Sequence, residues 1–161
     1  PPSSFTASAF VLDKRSLEIK KSYIEIDEYD KNQRQVFNYG HSFGHAIESL
    51  TNYKIPHGIA ISFGMDLANF VSMKKGYIGP ELRNNSRQLF EKIWNGYEGQ
   101  VKNLDVDTYL IALSKDKKNK GSLLGLILNK GYGKVFKDFT ANDDTFKGWM
   151  EEYFKNELNK Y

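Results

Sequence analysis

The chain has 161 residues, of which 40% are apolar and 14% aromatic. That is enough for one domain with a real core and too few for two ordinary ones. Its formal charge of +3 is small and its charges are mixed along the sequence, which excludes the basic block of a nucleic-acid footprint. It has no cysteine, which excludes disulfides and thiolate metal sites and fits a cytoplasmic, reducing compartment.

No apolar stretch approaches the roughly 20 residues that span a bilayer. The start, Pro1-Pro2-Ser3-Ser4, has neither the basic nor the apolar region of a signal peptide. A chain beginning with Pro1 reads as an excised domain.

The elements follow in order. Residues 6–23 read as a helix with Phe10, Val11, Leu17 and Ile19 as apolar positions, and Asp27 to Asp30 as an acidic turn. A second helix is expected over 31–50 and a loop over 51–56, ended by Pro56. A third helix covers 57–75, with Ile59, Phe63, Leu67, Phe70 and Val71 in a stripe. Gly76 and Gly79 close it, and Pro80 opens a fourth helix reaching about Asn95. In that helix Leu82, Leu89, Phe90, Ile93 and Trp94 are expected inward. A short helix over 105–113 follows. Leu124, Leu126 and Leu128 then alternate with other residues, and Asn129-Lys130-Gly131 turns the chain toward Val135-Phe136, the pattern of a β-hairpin. Asp143-Asp144 starts a last amphipathic helix that buries Phe146, Trp149, Met150, Tyr153, Phe154 and Leu158. The expected fold is mainly α, a single multi-helix domain over 1–161 with a small β-hairpin near the C-terminus.

The three histidines, His41, His45 and His57, fall within seventeen residues. His41 and His45 are four apart, one helical turn on one face. Extended backwards, that face takes in Asn38 and Arg34, at offsets of four, seven and eleven from Arg34. Such a stripe does not suit a core, where each polar group needs a buried partner. Gly40 and Gly44 lie beside the histidines, and each costs about 1 kcal/mol against Ala inside a helix, so something must approach that backbone closely. Two helical histidines are more often ordinary residues than ligands. His57, after Pro56 and a short loop, tips the balance, because a catalytic zinc takes three protein ligands and keeps one open position.

The run from Arg34 through Asn38, Gly40, His41, Gly44 and His45 to Glu48, followed by His57-Gly58 and Gly64-Met65, resembles the metal-site signature of the 3-dehydroquinate synthases. Asp27-Glu28 and Asp116-Lys117-Lys118 fit the same family at sensible spacing. The likeness covers the chain from about Phe10 to the hairpin. It implies that His41 and His57 ligate a divalent metal, Zn2+ or Co2+, with a third ligand, a glutamate, upstream of this region. It further implies that His45 handles protons near the substrate phosphate, and that Lys20, Arg34 and Asn38 bind the substrate's carboxylate and oxygens. A lysine of the pair Lys117 and Lys118 would bind phosphate. Asp30 stands where the family has a glutamate, four residues before Arg34, and keeps a carboxylate one methylene shorter; a turn residue is its plainer reading.

The implied activity is the NAD- and metal-dependent conversion of a seven-carbon sugar phosphate into a carbocycle with loss of phosphate. NAD would be held mainly by an N-terminal domain absent from this chain, and the full-length protein would be a homodimer. Chemistry agrees: a divalent ion acidifies a bound hydroxyl, nicotinamide accepts and returns a hydride, and the planar fork of Arg34 suits a carboxylate. No Gly-rich dinucleotide fingerprint follows a strand here. Two other readings stand beside this one: a metal-dependent alcohol or polyol dehydrogenase-like domain, and a non-catalytic metal-binding module of the same fold. The aromatics from Phe146 to Phe154 read as core, and the lysine run 115–120 as a solvated loop unless the family position promotes it.

Overall fold

The computed structural model describes residues 14–22, 25 and 33–158. They fall into two compact units, Pro1–Phe37 and Asn38–Tyr161.

In the first unit, helix α1 covers residues 14–22, inside the expected 6–23. Its pairs Arg15–Glu18 and Lys21–Glu25, each at 3.8 Å, are solvent-exposed and contribute little. Leu17 is 68% exposed, so the first unit does not bury it. The acidic turn at Asp27 to Asp30 lies outside the described residues.

The expected second helix is not continuous. Gln33–Asn38 is a 3-10 helix, and the α-helix α2 runs only over His41–Leu50. Between them Gly40 takes a left-handed φ of 77° as the N-cap of α2, a conformation other residues enter at a cost. The 3-10 segment has three residues per turn rather than 3.6. The stripe from Arg34 to His45 is therefore broken between Asn38 and His41, while His41 and His45 keep their shared face.

The second unit is built on α3, His57–Lys74. It packs against α2, against α4 (Pro80–Trp94) and against the first strand of the hairpin. Helix α3 is buried nearly all round: Phe63, Leu67, Ala68, Phe70 and Val71 lie in the core, and Asp66, Asn69 and Ser72 are buried polar residues of the same helix, as suits a central helix whose polar groups have partners. The ring of Phe63 stacks on Trp94 at 4.3 Å, nearly parallel. The short α5 (Glu98–Val101) follows, then α6 (Val106–Ser114), capped by Asp105, whose carboxylate accepts from the Thr108 N–H at 2.8 Å.

The hairpin pairs β1 (Leu123–Asn129) with β2 (Val135–Ala141) in antiparallel register from Leu123↔Ala141 to Asn129↔Val135. Residues 124–129 of β1 are all buried, so the alternation read in the sequence does not separate a wet face from a dry one. Asn129 ties β1 to α3: its N–H donates to Ser72 Oγ at 2.9 Å and its amide to Asn69 Oδ1 at 3.1 Å. Helix α7 (Asp144–Glu152) starts at the Asp143 cap, and a π-helical turn, Tyr153–Glu157, ends the described chain.

Helix α4 departs from expectation. Leu89 and Ile93 face outward, 60% and 44% exposed, while Arg83 and Arg87 are buried with Phe90 and Trp94. The cause is Asp66 of α3, fully buried. Its Oδ2 accepts from Arg83 at 3.2 Å, Arg87 at 3.0 Å and the Tyr153 hydroxyl at 2.8 Å. A buried carboxylate needs such partners, and they draw the arginine face of α4 inward. Glu157 pairs with Arg83, and its carbonyl accepts from Arg87 at 2.5 Å, which ties the π turn to the same network.

Candidate metal and substrate site

Backbone contact sets the histidines. At the crossing of α2 and α3, a Cβ on Gly64 would lie 2.0 Å from the Gly40 carbonyl oxygen and 2.8 Å from the Gly44 nitrogen. A Cβ on Gly44 would meet the Ile61 side chain at 2.7 Å. The close approach expected from paired glycines is thus another helix of the same chain. It places His41 and His45, on the first turns of α2, next to His57, the first residue of α3.

The three imidazoles form a nearly equilateral triangle. Ring centres lie 5.5 Å apart for His41–His45, 5.6 Å for His41–His57 and 5.6 Å for His45–His57. Two imidazoles bound through nitrogen to one tetrahedral ion at about 2.0–2.1 Å would have centres roughly 5 Å apart. The triangle fits that separation on every side, and nitrogen donors suit Zn2+ or Co2+. Among the described residues, the donor atoms that lie within 4.8 Å of one another are those of His45, Glu48 and His57, a group that does not include His41.

Each ring is held from behind at Nδ1. His45 Nδ1 lies 2.9 Å from Glu48 Oε2 and His57 Nδ1 2.9 Å from Glu48 Oε1. His41 Nδ1 donates to the Tyr39 carbonyl at 3.3 Å. Glu48 is buried, whereas the His45 and His57 side chains are 58% and 56% exposed. Burial lowers the His41 pKa, against the raising effect of the Tyr39 carbonyl, and the neighbouring His45, His57 and Lys118 lower it further. A neutral imidazole is the ligating form. Tyr39 is braced in turn: its hydroxyl donates to Asn69 Oδ1 of α3.

The lysine segment follows α6. Lys118 is buried, its ammonium 2.8 Å from Asp116 Oδ2 and its N–H 2.8 Å from Asp116 Oδ1. Burial pushes the Asp116 carboxyl up, but the donors of Lys118 outweigh it and hold the group below the usual carboxylate range. Lys118 is among the charges that lower the His41 pKa; Lys117 is exposed. Asn119 fixes the loop, donating to the Leu113 and Ser114 carbonyls at 3.0 Å and accepting from the Gly125 N–H at 2.9 Å. A Cβ on Gly125 would sit 2.1 Å from the Lys118 carbonyl oxygen.

Of the other expected site residues, Asn38 ends the 3-10 helix three positions before His41, half-buried. Lys20 is exposed on α1 of the first unit. Arg34 lies in the 3-10 helix, with its side chain outside the described residues, as is the whole of Asp30. Sequence reasoning assigned no role to Glu48, Tyr39 or Asp116. The signal for Glu48 was available: 41, 45 and 48 follow i, i+4, i+7, one helical face.

A family profile described as 3-dehydroquinate synthase C-terminal matches residues 8–119. The chain is 35% identical over 128 residues to a 3-dehydroquinate synthase of Thermoanaerobacter sp. (strain X514), covering 76% of this chain and 34% of that protein. It is 35% identical over 138 residues to one from Rippkaea orientalis (strain PCC 8801 / RF-1), covering 84% and 37%. It thus spans about a third of the length of these relatives. Among solved structures, a 2-deoxy-scyllo-inosose synthase complexed with carbaglucose-6-phosphate, NAD+ and Co2+ is similar with a TM-score of 0.60 and 26% identity, over 79% of this chain and 36% of that one.

Proposed function

Since the chain belongs to the 3-dehydroquinate synthase C-terminal family, we propose that it is the metal- and substrate-binding part of a sugar-phosphate cyclase. Its substrate would be a seven-carbon sugar phosphate that closes to a carbocycle with loss of phosphate. The observation that carries this reading is the triangle of His41, His45 and His57, backed by Glu48, with Lys118 among the charges that lower the His41 pKa.

In this reading His41 and His57 hold the ion, and a further ligand and the NAD site come from a preceding N-terminal domain. When bound, the ion supplies Lewis acidity at a substrate hydroxyl and NAD supplies a hydride acceptor. His45, at the third corner with a largely exposed side chain, moves a proton at the departing phosphate, with the carboxylate of Asp30 as a second group for proton transfer. Lys118 binds the phosphate; Asp116 holds its position. Lys20, Arg34 and Asn38 take the substrate's carboxylate and oxygens. The solved relative carrying carbaglucose-6-phosphate, NAD+ and Co2+ supports the substrate class and both cofactors, while Zn2+, a cytoplasmic homodimer and the seven-carbon acid rest on the family likeness. Among the described residues no helix is long and apolar enough to cross a membrane.

The test is phosphate release from the seven-carbon substrate with NAD and Zn2+. The full-length gene product turns over with no net NADH, because the hydride is returned; the 161-residue chain alone binds metal weakly and releases none. Robust turnover by the 161-residue chain refutes the divided site. Net NADH accumulation with simple polyols moves the assignment to a dehydrogenase.

A further inference from the structure

Behind the exposed ring tips lies one buried side chain that touches two of the three imidazoles. Both oxygens of Glu48 are engaged, one by His45 Nδ1 and one by His57 Nδ1, each at 2.9 Å. The carboxylate sits at the end of the second turn of α2 and reaches across the loop 51–56 to the first residue of α3. A carboxylate has acceptors only, so each Nδ1 facing it must carry the hydrogen. In the neutral rings, the form that ligates metal, each Nε2 is then left with a lone pair. The Tyr39 carbonyl, also only an acceptor, imposes the same tautomer on His41.

We propose that Glu48 is a positioning residue that fixes, with one carboxylate, both the tautomer and the aim of His57 and His45. A metal ligand and the neighbouring proton-handling imidazole thus share a single support, an inference resting on the metal-site reading above. Carboxylate–histidine pairs of this kind orient metal ligands generally, and losing one costs about 10–100-fold in metal affinity. Here one group serves two rings with different tasks. The competing use of the same atoms is direct ligation, since donor atoms of His45, Glu48 and His57 lie within 4.8 Å of one another. The geometry favours the clamp, because each Glu48 oxygen already receives a ring N–H.

The chemistry gives a sharp test in Glu48→Gln. A carboxamide has one acceptor oxygen and one NH2 donor group. It can accept from one ring only, and its NH2 must meet a lone pair on the other. One of the two imidazoles has to move its hydrogen to Nε2, where it blocks ligation through that atom.

Long-range 1H–15N spectra of the metal-free 161-residue chain read the tautomers directly. The wild type is expected to show hydrogen on Nδ1 in both His45 and His57. In E48Q one of them should carry it on Nε2, and Zn2+ affinity by calorimetry should fall by about 10–100-fold. Circular dichroism reports whether E48Q folds, and the wild-type spectrum decides the tautomers even if it does not. The inference is overturned if either wild-type ring, in its neutral form, carries its hydrogen on Nε2, if E48Q leaves tautomers and affinity unchanged, or if a zinc-soaked crystal shows a Glu48 oxygen about 2.0–2.2 Å from the ion. Failure of wild type to bind Zn2+ while keeping both tautomers sinks the metal-site reading and leaves the clamp standing.

Discussion

Replacing Gly64 with alanine sets two effects of opposite sign against each other. In the middle of an exposed helix the change would stabilise by about 1 kcal/mol. At position 64 the added Cβ would fall 2.0 Å from the Gly40 carbonyl oxygen, 2.8 Å from the Gly44 nitrogen and 2.9 Å from the Gly40 carbonyl carbon. All three are backbone atoms, so no rotamer change relieves the clash. Relief needs α2 and α3 to part by more than about 1 Å, and overpacking of this kind costs about 1–3 kcal/mol. With backbone on both sides the upper end applies, and a net loss of about 2 kcal/mol is expected once the propensity gain is subtracted. For a chain of this size that lowers Tm by about 4–8 °C. His41 and His45 ride on α2 and His57 on α3, so the same parting opens the triangle and Zn2+ affinity falls too. The assay is thermal unfolding plus calorimetric Zn2+ titration of G64A beside G148A. Gly148 lies in α7 with open space where its Cβ would go, so G148A should gain up to about 1 kcal/mol. The reasoning fails if G64A is as stable as wild type and binds Zn2+ equally well.

Removing the carboxylate in D66A leaves Arg83 and Arg87 buried without their shared partner and should cost about 3–5 kcal/mol in denaturant unfolding; L89Q, on the outward face of the same helix, should stay within about 0.5 kcal/mol of wild type. In an NMR titration of the metal-free chain, His41 should protonate below the ordinary histidine pKa of about 6.5. Its folded pKa is depressed, so its contribution to stability is complete above about pH 6.5 and is lost as pH falls through the folded value; a midpoint above 6.5 contradicts the burial argument. In the full-length protein, K118A should raise KM for the phosphorylated substrate much more than K117A, and equal effects would remove the preference for the buried lysine.

What the sequence made legible was what depends on spacing. Helix α3 and the hairpin announced themselves through period and turn residues, and the histidine pair through i, i+4. The glycines at 40 and 44 correctly signalled a close approach, although only the fold shows that the visitor is Gly64. The break at Gly40 was not legible, because Arg34, Asn38, His41 and His45 obey helical offsets whether or not the helix is continuous; a left-handed φ leaves no trace in periodicity. The inward turn of Arg83 and Arg87 was hidden for another reason. Apolar counting places Leu89 and Ile93 inside α4, and only a charge buried on a different helix, Asp66, reverses it. Glu48 lay on the readable face, but its tie to His57 depends on how the loop 51–56 returns the chain, which no local pattern encodes.

The contact of Gly125 with the Lys118 carbonyl bears on how the hairpin finds its pairing. A two-stranded ribbon has little of its own to prevent a one-residue slip. Here a slip would bring Leu124 or Leu126 to the spot where only a missing side chain fits and would pull the Gly125 N–H off Asn119. The lysine loop therefore works as a gauge that accepts one alignment of the ribbon, so that the order of this loop and the pairing of the two strands depend on one another.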